Sequence, residues 1–168
     1  MTNSSITTQP NLYHIAQLRC DSFERTVLPV ARHLFQSFAQ PEQQGWFRAF
    51  AIAVEHWDEP VGLSIAYHLQ KLMRALVHCR PQGLDFQDPL CIDGKNAVTE
   101  DELLLVGMLH NMRRDQTAEA RKCVYQITDG RMDPDVIRTG LEFARRFSCG
   151  MGDGKKRMVS KPSLRIVG

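Results

Sequence analysis

Between Pro60 and Arg80 the apolar residues Ile65, Leu69, Leu72, Leu76 and Cys79 recur at steps of three and four. That spacing places them on one stripe of an α-helix. Ala66, Met73 and Val77 widen the stripe, so the pattern predicts a helix with neighbours on more than one side. Ser64, His68, Lys71, Arg74 and His78 fall on the opposite side, which is polar and basic. Asp58-Glu59-Pro60 supplies a start, with acids and a proline in the first turn, and Arg80-Pro81 supplies a stop.

The same reading extends along the chain. Residues 1–10 are polar and aperiodic and read as a flexible lead-in. From about Asn11 the spacing predicts a helix whose apolar face, Phe23, Val27, Val30/Ala31, Leu34 and Phe38, runs through Pro29; the unbroken face favours one kinked helix over two. A second helix follows Gln40-Pro41-Glu42, with Trp46, Phe50, Ala53/Val54 and Trp57 as its expected buried face. After the Pro60–Arg80 helix, residues 81–98 form one long connection. Its prolines and glycines exclude a regular helix. Leu84, Phe86, Leu90, Cys91 and Ile92 make it apolar enough to be expected to pack inward, and ordered loops of this length are often functional.

Thr99-Glu100-Asp101-Glu102 is a capping box that opens a helix to about Arg114, with Leu105, Leu109 and Met112 as its seam. A short helix carries Ala120, Cys123/Val124 and Ile127 and ends at Asp129-Gly130. Asp133-Pro134 caps the last helix, which presents Val136/Ile137, Leu141, Ala144 and Phe147. The expectation is an all-α fold: a single compact bundle of six or seven helices over residues 11–149, one long packed loop at 81–98, and an extended C-terminal tail at 150–168.

Composition narrows the class without naming a function. The chain has 168 residues, 43% of them hydrophobic and 24% charged, as in an ordinary globular protein with a real core. The longest apolar run, Ala49–Val54, is far too short to span a bilayer, so no membrane partner is expected. MTNSSITTQPN has no basic residue followed by an apolar core, and the odd count of five widely spaced cysteines reads as free thiols; both point to a cytoplasmic protein. The net charge of +2 is unevenly placed, because the tail from Gly150 onward carries +4 and the rest −2.

The search for chemistry yields candidates and exclusions. The six histidines form no HxxxH, HExxH or ExxH, so no metal is expected, and no cofactor signature is present. No catalytic residue is assigned, since no GxSxG elbow exists and no family signature surrounds a cysteine. Cys91, in the long loop, is the better nucleophile candidate, against the plainer reading of Pro89–Ile92 as an apolar plug. His56 and Trp57, with His68 two turns on, are placed to line one end of a pocket if their helices are antiparallel neighbours. Arg113 and Arg114 form a second candidate, since paired guanidiniums bind carboxylates or phosphates; stabilisation of a helix C-terminus accounts for them without a ligand and is the default reading.

These readings lead to a non-enzymatic helical module that binds a partner protein, itself included, or a small ligand, with His56, Trp57, His68, Arg113 and Arg114 as ligand-binding residues. The alternative is a DNA-binding regulator using the helices of 99–147 and the basic tail; Asp133 and Asp135 at the start of its recognition helix argue against nucleic acid. A third reading is an enzyme or ligand sensor with a pocket near His56.

Overall fold

The computed structural model describes residues 12–92 and 94–149. These are mostly helical, with six α-helices: α1 (Ser22–Ala39), α2 (Gly45–Trp57), α3 (Glu59–Cys79), α4 (Glu100–Met112), α5 (Thr117–Ile127) and α6 (Pro134–Arg146). A pair of two-residue strands, β1 (Tyr13–His14) and β2 (Ala97–Val98), runs antiparallel, with Tyr13 opposite Val98 and His14 opposite Ala97. The expected C-terminal tail at 150–168 and the lead-in at 1–10 both lie outside the described residues. Among the described residues no helix is long and apolar enough to cross a membrane.

α3 is the central helix. It packs on α1, α2 and α6, and Ile65, Ala66, Leu69, Leu72, Met73 and Leu76 are all fully buried, as its doubled stripe predicts. α1 also meets α2 and α4, and α4 meets α5 and α6. Two glycines set how closely the first three helices approach. A Cβ on Gly45 would run into the carbonyl oxygen of His33 and lie 3.1 Å from Ser37 N. One on Gly62 would strike the carbonyl of Ala53 and lie 2.7 Å from Val54 Cα. Backbone therefore meets backbone at both crossings, and α2 turns into α3 through the single residue Asp58, held at φ +70° with its carboxylate capping Val61 N.

Five local expectations are corrected. α1 starts at Ser22, not near Asn11, because Asp21 and Glu24 form a reciprocal capping box there; β1 and a short 3-10 turn take up the preceding residues. The pairing of β1 with β2 replaces the helix-only reading, and it follows from β2 ending the long loop where that loop passes the chain's start. α2 buries Gly45, Ala49, Ala53 and Trp57, the small residues that permit close contact, while Trp46 is 49% exposed. α6 buries Val136, Thr139, Gly140, Phe143 and Ala144; its face is rotated so that Leu141 is 37% exposed. In the loop, Leu84 is buried and Phe86 stacks on Phe35 at 4.5 Å, but Leu90, Cys91 and Ile92 are exposed. Pro29 sits inside an unbroken α1 on an exposed position, so its missing N–H leaves the apolar face intact.

Candidate functional site

Trp57, His68 and Arg113 are brought to one end of the helices, around Phe23 and Phe147. Trp57 lies 5.4 Å from Phe23, His68 lies 5.9 Å from Phe147, and the Arg113 guanidinium stands 4.2 Å over the Phe23 ring. His56 is exposed, with its ring edge against Trp57 at 4.7 Å. His68 Nδ1 bonds the Ser64 carbonyl one turn back on its own helix at 2.7 Å. The aromatic rings fill this end as a packed cluster that includes Phe143, 4.9 Å from Phe147.

Arg113 and Arg114 meet carboxylates from within the chain. Arg113 is buried and donates to Asp21, to Glu24 and, from Nε, to the Phe147 carbonyl at 2.5 Å. Arg114 donates to Glu24 at 2.7 Å and Asp21 at 2.8 Å, and His110 Nδ1 lies 2.8 Å from the other Glu24 oxygen. Burial alone would raise both carboxyls, but hydrogen bonds outweigh it and hold each below its ordinary value: those from Arg114 and His110 for Glu24, and those from the Glu24 backbone and both arginines for Asp21. The pair that caps the N-terminus of α1 thus neutralises the pair that closes α4, and both placements suit the helix dipoles.

A second buried ion pair fixes the long loop. Arg32 grips Glu102 through Nε at 2.7 Å and Nη2 at 2.9 Å, and Nη2 also reaches the Ala97 carbonyl. Glu102 accepts from Gln87 N and Thr99 N as well, while Asp101 takes Asp85 N and Arg80. The acids that read in the sequence as a dipole-compensating first turn are therefore the anchors of the 81–98 loop. Arg32 Nη1 makes no hydrogen bond to any described residue.

Beside that anchor the loop borders a half-open cavity of about 490 Å³ against α1 and Ile52 of α2. Leu28, Ile52 and Ile92 give it apolar walls, and Arg32, His33, Asp88, Cys91, Lys95 and Asn96 give it polar ones. The size falls in the range that holds small ligands. His33 is 7% exposed, and its Nδ1 is buried without a hydrogen bond. The other buried unbonded side-chain nitrogen among the described residues, Arg80 Nε, lies 3.3 Å from Asp129 Oδ2 and so has an ionic partner. Burial holds the His33 imidazole below its ordinary value; a side-chain hydrogen bond with Gln36 works against it, the Arg48 charge pushes the same way as burial, and the Asp88 charge opposes both. The ring is therefore uncharged at neutral pH, and its Nδ1, which has no accessible surface, is a donor or an acceptor according to the tautomer.

Another cleft, about 360 Å³ between α4, α5 and α6, is walled by Met112, Val124, Met132, Ile137 and Leu141, and neither of the two unbonded buried nitrogens lies in it. Among the described residues no group of three or more His, Cys, Asp or Glu side chains is placed to hold a metal.

The sequence reading named Cys91 but missed Arg32, His33, Asp88, Lys95 and Asn96 as site residues. A signal was present for the first two: Arg32-His33 interrupts Val30-Ala31 and Leu34-Phe35, a polar pair inside an otherwise apolar stretch of a core helix. Asp88, Lys95 and Asn96 carried none, because irregular backbone places them. Comparison of the chain with protein-family models, with curated proteins and with solved structures finds no match in any of the three.

Proposed function

We propose that this chain is a non-enzymatic helical module that binds a small, largely apolar molecule carrying one hydrogen-bonding group, in the cavity between α1, α2 and the 81–98 loop. What supports the reading is His33 Nδ1. A buried polar atom without a partner costs about 1–3 kcal/mol, and native chains keep few of them. A ligand whose body covers Leu28 and Ile52 would recover that loss once the His33 ring, whose Nδ1 has no accessible surface at rest, turns toward it. The Arg32–Glu102 anchor ties down Gln87 and Ala97, which flank the segment lining the cavity.

The DNA-binding alternative draws less support. On α6 the exposed Arg138 is paired with Asp135 and Glu142, and Arg146 bonds Ser64 of α3, so this helix offers phosphate few uncommitted cations. The third reading, a pocket at His56, draws less support too, because that residue is exposed beside packed aromatic rings.

The test is a saturation-transfer NMR screen of neutral amides and alcohols with apolar bodies, run on the wild type and on Ile52→Trp. The expected result is a set of binders that Ile52→Trp, which fills the cavity, no longer holds. Equal binding to both proteins, or no binder at all, would overturn the proposal.

A further inference from the structure

We propose that α2 pairs antiparallel with α2 of a second copy of this chain, through a seam of Phe47, Phe50, Ala51 and Val54. Between Gly45 and Trp57 only Arg48, Glu55 and His56 are polar. A helix apolar on nearly every side is one that other elements cover. α1 and α3 cover the side that bears Gly45, Ala49, Ala53 and Trp57. The adjoining side is open: Trp46 is 49% and Phe47 63% exposed, Ala51 is exposed, and Phe50 and Val54 are half-buried. Phe47, Phe50/Ala51 and Val54 recur at steps of three and four, the spacing of a seam between paired helices. The Trp46 ring meets the Phe47 ring edge-on at 6.0 Å, which gives one end of the seam a fixed aromatic surface. Exposed aromatics grouped in this way mark protein contacts.

Charge selects the occupant. Arg48 and Glu55 lie two helical turns apart on one flank of the seam, and both are exposed. Neither makes a hydrogen bond or an ion pair with a described residue. A two-fold axis across α2, beside Phe50 and Ala51, reverses the helix direction and keeps the flank. It sets Phe47 against the partner's Val54, and Arg48 beside the partner's Glu55, at both ends of the seam. The chain is thus its own complement in shape and in sign. A parallel pair would set Arg48 beside the partner's Arg48 and Glu55 beside the partner's Glu55, so that like charges oppose each other. Ala51 at the crossing lets the two backbones come within about 8–10 Å. The seam occupies about 12 Å of helix. That falls short of the roughly 800 Å² per partner of a standard interface, so the dimer is weak, with Kd in the micromolar range. The pairing is independent of the small-ligand cavity, to which α2 contributes only Ile52.

The test is sedimentation of the full chain in the ultracentrifuge, from about 10 μM to about 1 mM, the range that brackets a weak dimer. A monomer–dimer equilibrium that shifts with concentration is expected. Phe47→Glu changes a residue that is exposed in the single chain, so the fold should survive, and the dimer Kd should rise at least about 10-fold. Glu55→Arg should weaken the dimer as well, because it sets like charges together at both ends. Arg48→Glu combined with Glu55→Arg should return the Kd to the wild-type value, since reversing both charges rebuilds the pair only between antiparallel helices. A chain that stays monomeric throughout would overturn the proposal and leave the face to another segment of this chain or to a different protein. A dimer that Phe47→Glu leaves intact would overturn it too, as would one that Glu55→Arg does not weaken or that the double reversal does not restore.

Discussion

Glu24 has its side chain 1% exposed and is held by Arg113, Arg114 and His110 at once. Removing one member of such a buried group leaves uncompensated charge, so Glu24→Ala should cost about 3–5 kcal/mol, read from the shift in urea midpoint. A loss under about 1 kcal/mol would mean that the cluster is solvated. The pH dependence follows from the same contacts. Glu24 and Asp21 titrate below their ordinary values when folded, so their stabilisation is present above the unfolded carboxyl range and lost as pH falls through the folded values. Thermal melts should therefore weaken from about pH 4.5 downward, and less steeply in Glu24→Gln. His33 should contribute far less. Its Nδ1 makes no bond, though the ring has a hydrogen bond with Gln36, so His33→Leu should lower stability by less than about 1 kcal/mol. A drop worth more than about 1 kcal/mol would reveal a structural partner. Of these residues the sequence made Arg113 and Arg114 legible as a pair, and helix-end stabilisation was half of the answer. The other half, Asp21 and Glu24, lay about ninety residues away in the chain, and no local pattern links them.

At the level of elements, the caps were the most legible feature. The capping box at Thr99 and the Asp133-Pro134 start form as read, and Gly130 takes its left-handed conformation at φ +79°. Where a start was missed, at Asp21, the Asp21–Glu24 capping box was in the sequence. Faces were less legible wherever the contact depends on small residues. α2 reads as an aromatic helix, yet Gly45, Ala49 and Ala53 make its contacts, because only they let α1 and α3 approach backbone to backbone. Gly62→Ala tests this directly. Its methyl would meet the Ala53 carbonyl, which cannot move as a side-chain tip can, so the cost should be about 1–3 kcal/mol by chemical unfolding. A neutral or stabilising result, as ordinary helix propensity would give, would show that α2 and α3 lie further apart.

For the whole molecule, the doubled stripe of α3 carried the architecture. A helix apolar on two sides needs several partners, and α3 packs on α1, α2 and α6. Leu72→Ala should lose about 2–5 kcal/mol as a fully buried leucine of that core; a loss below about 1 kcal/mol would place α3 at the surface. The candidate cavity was far less legible than the core. It depends on a loop without periodicity, on an Arg32–Glu102 pair seventy residues apart, and on the unfilled valence of one imidazole nitrogen, a property of three-dimensional surroundings and not of residue order. The central claim is that this nitrogen awaits a ligand. The most direct measurement is a crystal structure of the protein soaked with the strongest reversible binder from the screen. The account predicts electron density between Ile52, His33 and the 81–98 loop, with a polar atom of the binder within hydrogen-bond distance of His33 Nδ1. Density in the α4–α6 cleft instead, with His33 Nδ1 still unpartnered, would contradict it.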